Sequence, residues 1–225
     1  MVLVLPQLFL KVSAVKKYLV CLISFGLFLG LAGEGRAAAP AELTAADRAD
    51  IGRVEKYLNE VRTLQARFLQ IADSGGTASG SFMMARPGKM KLVYDPPIKD
   101  YVVSDGTFVF YWDADLQQQS SQPLGFSLAD LFLRDNIKLS GDVTVTDVAR
   151  PAAALEVSII QTDDAGKGQL TLVFEDKPLQ LRKWRVLDAQ GLTTTVALSE
   201  VRTGVSLDDR LFVFHDPNLG KPRRR

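Results

Sequence analysis

The spacing of apolar positions changes along the chain, and each change marks a different element. At the N-terminus they are continuous: Lys11, Lys16 and Lys17 precede an apolar run over 18–31, followed by Gly33, Gly35 and the small-residue stretch Ala37-Ala38-Ala39-Pro40-Ala41. This layout predicts a cleaved Sec signal peptide over 1–41, cut after Ala41 or one site upstream. The uninterrupted run is shorter than the roughly 20 residues that span a bilayer. Helical spacing follows. Thr44-Ala45-Ala46-Asp47 has the form of a capping box, and Ile51, Val54, Leu58 and Val61 recur at helical intervals, so an amphipathic helix of about four turns is expected. Near Thr63 the period drops to two, and the helix should feed directly into a strand that ends at the turn Asp73-Ser74-Gly75-Gly76.

From there the pattern is β-rich and closely punctuated. Runs at 80–86, 89–94, 99–104 and 108–113 each stop at glycine, proline or aspartate. Residues 117–125 are polar and read as turn. Ser127-Leu128-Ala129-Asp130 is a second capping-box pattern, with Leu128, Leu131 and Phe132 as the apolar face of a short helix. Strand patterns return at 143–148, 155–161, 169–174, 179–187, 193–201 and 211–214, joined by tight hairpin connections such as Asp188-Ala189-Gln190-Gly191. About ten strands with two inserted helices, and no βαβ rhythm, predict a mainly β (α+β) domain whose antiparallel sheet curls. A barrel wider than roughly eight strands, or one not fully closed, must leave space or be plugged, and the two helices are the available plug.

Composition narrows the partners. Cys21, the one cysteine, lies inside the expected signal and has neither the small residue before it nor the preceding apolar run of a lipobox, so no lipidation and no disulfide framework are expected. Removing 1–41 leaves 184 residues, 42–225, enough for a single domain with a substantial core. Their 23 basic and 25 acidic residues leave a net charge near −2, which argues against nucleic acid as a partner. The exception, Lys221-Pro222-Arg223-Arg224-Arg225, is most simply a solvated tail. A weak contact with anionic headgroups is the sharper alternative.

Enzyme chemistry has little to work with. His215 is the one histidine and reads as a strand-ending turn residue; Gly76-Thr77-Ala78-Ser79-Gly80 misplaces its serine for a nucleophile elbow; no P-loop or dinucleotide glycine pattern occurs. One histidine and no mature cysteine make zinc improbable, and Asp113 with Asp115 reads as a turn pair rather than a cation site. No cofactor and no metal are expected. What remains is apolar. Phe82, Met84 and Arg86 share one strand face; Met90, Leu92 and Tyr94 a second; Phe108, Phe110 and Trp112 a third. From periodicity a plain sandwich core is the favoured reading of these rows, although methionine suits surfaces that accept variable apolar partners. Arg86, in such a row, is either a rim residue or a buried guanidinium needing carbonyl or carboxylate partners.

The ordered series Phe68-x-Gln70, Gly80, Arg86-Pro87-Gly88, Tyr94-x-x-Pro97, Val103-Ser104-Asp105-Gly106, Asp113-x-Asp115-Leu116 and Phe212-x-Phe214 resembles the LolA family, periplasmic carriers of outer-membrane lipoproteins. Two departures stand out: Lys91-Leu92 replaces the arginine-tryptophan pair common in that family, and the chain ends soon after Gly220. The resemblance implies an incomplete β-barrel whose helices form a lid over a hydrophobic cavity. It also implies a non-enzymatic periplasmic chaperone that takes lipoprotein acyl chains from an inner-membrane ABC exporter to an outer-membrane acceptor. Arg86 matches the arginine that holds the empty lid closed. The lipid-binding wall would comprise Phe68, the three rows above and, from the lid, Leu128, Leu131 and Phe132; a monomer is expected for a shuttle. A carrier of another lipid, or a lipoprotein-sensing regulatory module of similar fold, is the alternative.

Overall fold

The computed structural model describes residues 42–125 and 128–218; the expected signal peptide, Ser127 with its capping box, and the basic tail lie outside the described residues. Thr44 caps helix α1 (Ala45–Glu60): its hydroxyl accepts from the Asp47 N–H while the Asp47 carboxylate accepts from the Thr44 N–H, a complete capping box. Val54 and Leu58 are its buried face. After Val61 the chain turns straight into β1 (Thr63–Ile71).

Eleven strands form one antiparallel sheet. They are β1, β2 (Thr77–Ala85), β3 (Lys89–Tyr94), β4 (Tyr101–Asp105), β5 (Phe108–Asp113), β6 (Gln118–Pro123), β7 (Val143–Ala149), β8 (Ala154–Gln161), β9 (Gly168–Asp176), β10 (Leu179–Asp188) and β11 (Thr193–Thr203). Their order, β6-β5-β4-β3-β2-β1-β11-β10-β9-β8-β7, explains the architecture. The chain begins at the sheet centre, meanders to one edge, crosses to the other edge and meanders back, so that β11 pairs β1. The sheet stays open, with β6 and β7 as its free edges. The crossover between them, residues 124–142, carries a 3-10 helix, Leu128–Leu133, and with α1 covers one face of the sheet.

Strand alternation sends one row of each strand except the edge strand β6 into that covered face. Leu64, Ala66 and Phe68 from β1, Phe82 and Met84 from β2, and Leu170, Leu172 and Phe174 from β9 belong to a single buried cluster with Val54 and Leu58 of α1. Opposite Phe68, Gly80 has no side chain because there is no space for one: a Cβ there would lie 2.1 Å from the Val93 carbonyl and 2.5 Å from the Phe68 ring. The ring crosses Gly80 and meets Tyr94 edge-on at 5.3 Å.

Three elements differ from the sequence pattern. Residues 118–123, expected as turn, are the edge strand β6: β5 pairs with one side of its backbone, and solvent on its flanks lets Gln118 to Gln122 be polar throughout. Residues 211–214, expected as a strand, end a short 3-10 helix, Asp209–Phe212, that packs on β3 and β4. The inserted helix is likewise 3-10 rather than α-helical.

Candidate functional site

Under the lid lies a cavity walled almost wholly by hydrocarbon. Its floor comes from Phe82 and Met84 on β2, Met90 and Leu92 on β3 and Val102 on β4, continued by Leu64, Leu181, Trp184 and Leu198. Its roof is Tyr57, Leu58 and Val61 from α1 and the turn after it, with Phe132, Leu133 and Ile137 from the crossover. Trp184 links the two, with ring centroids 5.9 Å from Phe82 and 5.4 Å from Phe132. Tyr57 turns its polar end away by accepting the Leu181 N–H at 3.1 Å. The empty space is about 50 Å³, well below the ~150 Å³ apolar cavity that admits a benzene ring. In this conformation the roof rests on the floor.

Arg86 bridges roof and sheet at the edge of this cavity. The side chain is 8% exposed and bonds only to carbonyl groups: Nε to Val61 at 3.1 Å, Nη2 to Leu58, and Nη1 to Arg134 at 3.1 Å. Leu58 and Val61 end α1, so these are helix C-terminal carbonyls with no partner inside the helix. Arg134 follows the 3-10 helix of the crossover. One guanidinium at the end of β2 thus bonds to both segments of the roof. Burial first, and repulsion from Arg62 second, pull it below the usual arginine value, and Asp135 opposes this. It is a costly group to bury, and the carbonyls together with Asp135 offset that cost.

The turn motifs that flank Arg86 in sequence position it in space. Gly88 donates its N–H to the Leu133 carbonyl at 2.8 Å, a further tie to the lid, and its own carbonyl accepts from the buried Ser104 hydroxyl at 2.6 Å. Gly88 has φ +78°, and a Cβ on it would sit 2.6 Å from the Gly106 Cα. The Arg-Pro-Gly and Ser-Asp-Gly turns are therefore packed on one another. Asp105 shapes the second by accepting the N–H groups of Thr107 and Phe108.

Of the residues singled out from sequence, Phe82, Met84, Met90, Leu92 and Phe132 meet at the cavity with Arg86 at its seam. Phe68, Tyr94 and Leu131 lie in the same apolar cluster but fill the space beside the cavity instead of lining it. The Leu128 side chain lies outside the described residues. The row Phe108, Phe110 and Trp112 is corrected: it occupies the opposite face of the sheet. Val109 and Tyr111 are the residues of β5 that turn toward the core, whereas Phe108 is 41% exposed and Phe110 stacks on Phe214 at 5.0 Å. Phe214 also stacks on Tyr101, and the Tyr101 hydroxyl donates to the His215 carbonyl, so the C-terminal segment covers this outer row. Both faces of β5 are apolar, and only the long-range cover decides which is inside.

Leu181 and Trp184 are not legible as one row in the sequence, because strict alternation puts positions three apart on opposite faces and only the bulge between Leu181 and Lys183 brings them to the same one. Asp113 is a turn residue, accepting the Leu116 N–H, and among the described residues no three His, Cys, Asp or Glu side chains cluster as metal ligands would. No described helix is long and apolar enough to cross a membrane.

Comparison with known proteins supplies the family. The family model described as outer membrane lipoprotein carrier protein LolA matches residues 59–215. An outer-membrane lipoprotein carrier protein of Methylococcus capsulatus is 29% identical over 173 residues, covering 73% of this chain and 83% of that protein. One from Pseudomonas syringae pv. syringae is 30% identical over 183 residues, covering 76% and 86%. A crystal structure of a LolA superfamily protein from Nitrosomonas europaea aligns with a TM-score of 0.43 at 9% identity, over 73% of this chain and 97% of its own. The chain belongs to the LolA family of outer membrane lipoprotein carrier proteins.

Proposed function

We propose that this protein is a monomeric periplasmic chaperone that holds the acyl chains of outer-membrane lipoproteins in the cavity beneath α1 and the crossover. It receives them from an inner-membrane ABC exporter and gives them up to an outer-membrane acceptor, with no enzymatic step. The observation that carries this reading is an almost wholly apolar cavity with one buried arginine at its edge bonded to lid carbonyls.

The energetics suit a carrier. Removing an acyl chain of about 15 methylenes from water is worth on the order of 12 kcal/mol at ~0.8 kcal/mol each. Bound at that strength, cargo would not leave. Because the closed cavity is too small for a chain, loading must lift the lid and break the Arg86 bonds, each worth about 1.5–3 kcal/mol for a charged donor. The carbonyls so exposed sit at a helix end where water replaces the donor. Part of the transfer energy is thereby spent on opening, and closure helps expel the cargo.

Arg86→Leu tests this gate. The variant should fold and carry several-fold more lipoprotein when purified from the periplasm, identified by mass spectrometry of the bound material. Unchanged loading would remove the gate, and another lipid in place of lipoprotein would replace the cargo.

A further inference from the structure

Two separate stretches of chain make the lid, and one face of α1 sews them together. Glu55, Asn59 and Arg62 stand at i, i+4 and i+7, on one side of the helix and its exit. Facing them runs a stretch of the crossover without regular secondary structure, bonded at every second residue from Asp135 to Leu139. Glu55 Oε1 accepts the Leu139 N–H at 2.6 Å. Asn59 takes both backbone groups of Ile137: Oδ1 accepts its N–H at 2.8 Å, and Nδ2 donates to its carbonyl at 2.8 Å. Arg62 Nη1 donates to the Asp135 carbonyl at 2.8 Å, and its Nη2 pairs with the Asp135 carboxylate. Ile137 and Leu139 are 1% and 3% exposed, so their backbone groups need partners, and the sheet does not supply these bonds. Asn59 replaces a neighbouring strand, making with one side chain the pair of bonds that a β-bridge would make.

The two ends of α1 are held differently. At the start, Arg150 pairs with Asp47 and Asp50, and Arg53 pairs with Asp50 and Asp176, which clamps the helix to the ends of β7 and β9. At its finish the Arg86 bonds described above hold it to the β2–β3 turn.

We propose that Asn59, supported by Glu55, couples α1 and residues 135–139 into a single lid body that swings about the Arg150 end, so that release of Arg86 moves both stretches together. Asn59 is a positioning residue: it acts on the lid rather than on cargo. The biological meaning rests on the carrier reading, but the motion can be measured on the empty protein.

Residues 42–225 contain no cysteine, which makes paired spin labels clean to place. Lys56→Cys on α1 and Lys138→Cys on the crossover are both at exposed positions, as is Thr77→Cys on β2 for a fixed reference. In an Arg86→Leu background, the 56–77 and 138–77 distances should both lengthen, while the 56–138 distance stays as in the parent. Adding Asn59→Leu, or Asn59→Ser if the first variant does not fold, should broaden the 56–138 distribution. A 56–138 distance that changes in Arg86→Leu as much as the other two overturns the single body. Insensitivity of that distance to both Asn59 substitutions overturns the role of Asn59, and no shift in any pair overturns the swing. None of these outcomes decides what the cavity carries, because lipoprotein loading is read separately.

Discussion

At the residue scale the account rests on side chains whose neighbours leave them no choice. Arg86 is one. It was recognisable as unusual because a cation ends an apolar row, but its partners are backbone carbonyls on distant segments, which carry no sequence mark. Gly80 is another. A methyl group there meets a backbone carbonyl and the Phe68 ring, and neither can yield without breaking the β2–β3 pairing or the Phe68–Tyr94 contact. Gly80→Ala is expected to destabilise the fold by about 3 kcal/mol, the upper part of the usual overpacking range, as read from urea midpoints. A change within a few tenths of a kilocalorie would mean that the ring moves freely. Trp184 shows the converse limit of sequence: a central residue of the cavity stayed hidden behind one bulge.

At the element scale, local chemistry was legible and pairing partners were not. The α1 cap, the direct passage from helix to strand and the Arg-Pro-Gly and Ser-Asp-Gly turns themselves follow from residues close in sequence, whereas the packing of those two turns on one another, Ser104 bonding to Gly88, left no mark in the pattern. The inward face of β5 could not, since Val109 and Tyr111 are as apolar as the row behind them and the deciding cover, Phe214, lies about a hundred residues away. Strand β6 was missed because a solvated edge has no alternation to read. The α1 cap also sets how the lid responds to acid. Asp47 is held at a pKa of about 2 by the Thr44 hydroxyl, then the Thr44 backbone N–H, then Arg150. Its folded value is depressed, so its contribution is present above about pH 4 and lost as pH falls toward 2. Asp47→Asn should flatten that acid limb of the stability profile; an unchanged slope would show that the clamp at the start of α1 does not couple to the fold.

At the scale of the whole molecule, an open antiparallel sheet covered by α1 and the crossover on one face and by the C-terminal segment on part of the other explains why its aromatic hydroxyls resist ionisation. All four tyrosines of residues 42–225 are raised above the ordinary phenol value, in each case chiefly by burial, and Tyr94 reaches about 12. Raised folded-state values stabilise the fold below about pH 10 and lose that contribution as pH climbs past it. Phenolate absorbance should therefore lag well behind that of the urea-unfolded chain, and a titration centred near pH 10 in the folded protein would contradict this burial. The curled sheet and its lid were legible as a class from the rhythm of strands and two insertions. The course of the chain, centre to edge to opposite edge and back, was not, because strand order is decided by which edges meet. The central claim is that lipoprotein acyl chains occupy the space between the sheet and the lid. Met90 and Lys91 are adjacent on β3 and point to opposite faces, Met90 into the cavity. A photo-activated diazirine side chain placed at each position, irradiated in cells, tests the claim most directly. The account expects lipoprotein joined through its acyl chains to position 90 and not to position 91; no lipoprotein at 90, or equal capture at both, would contradict it.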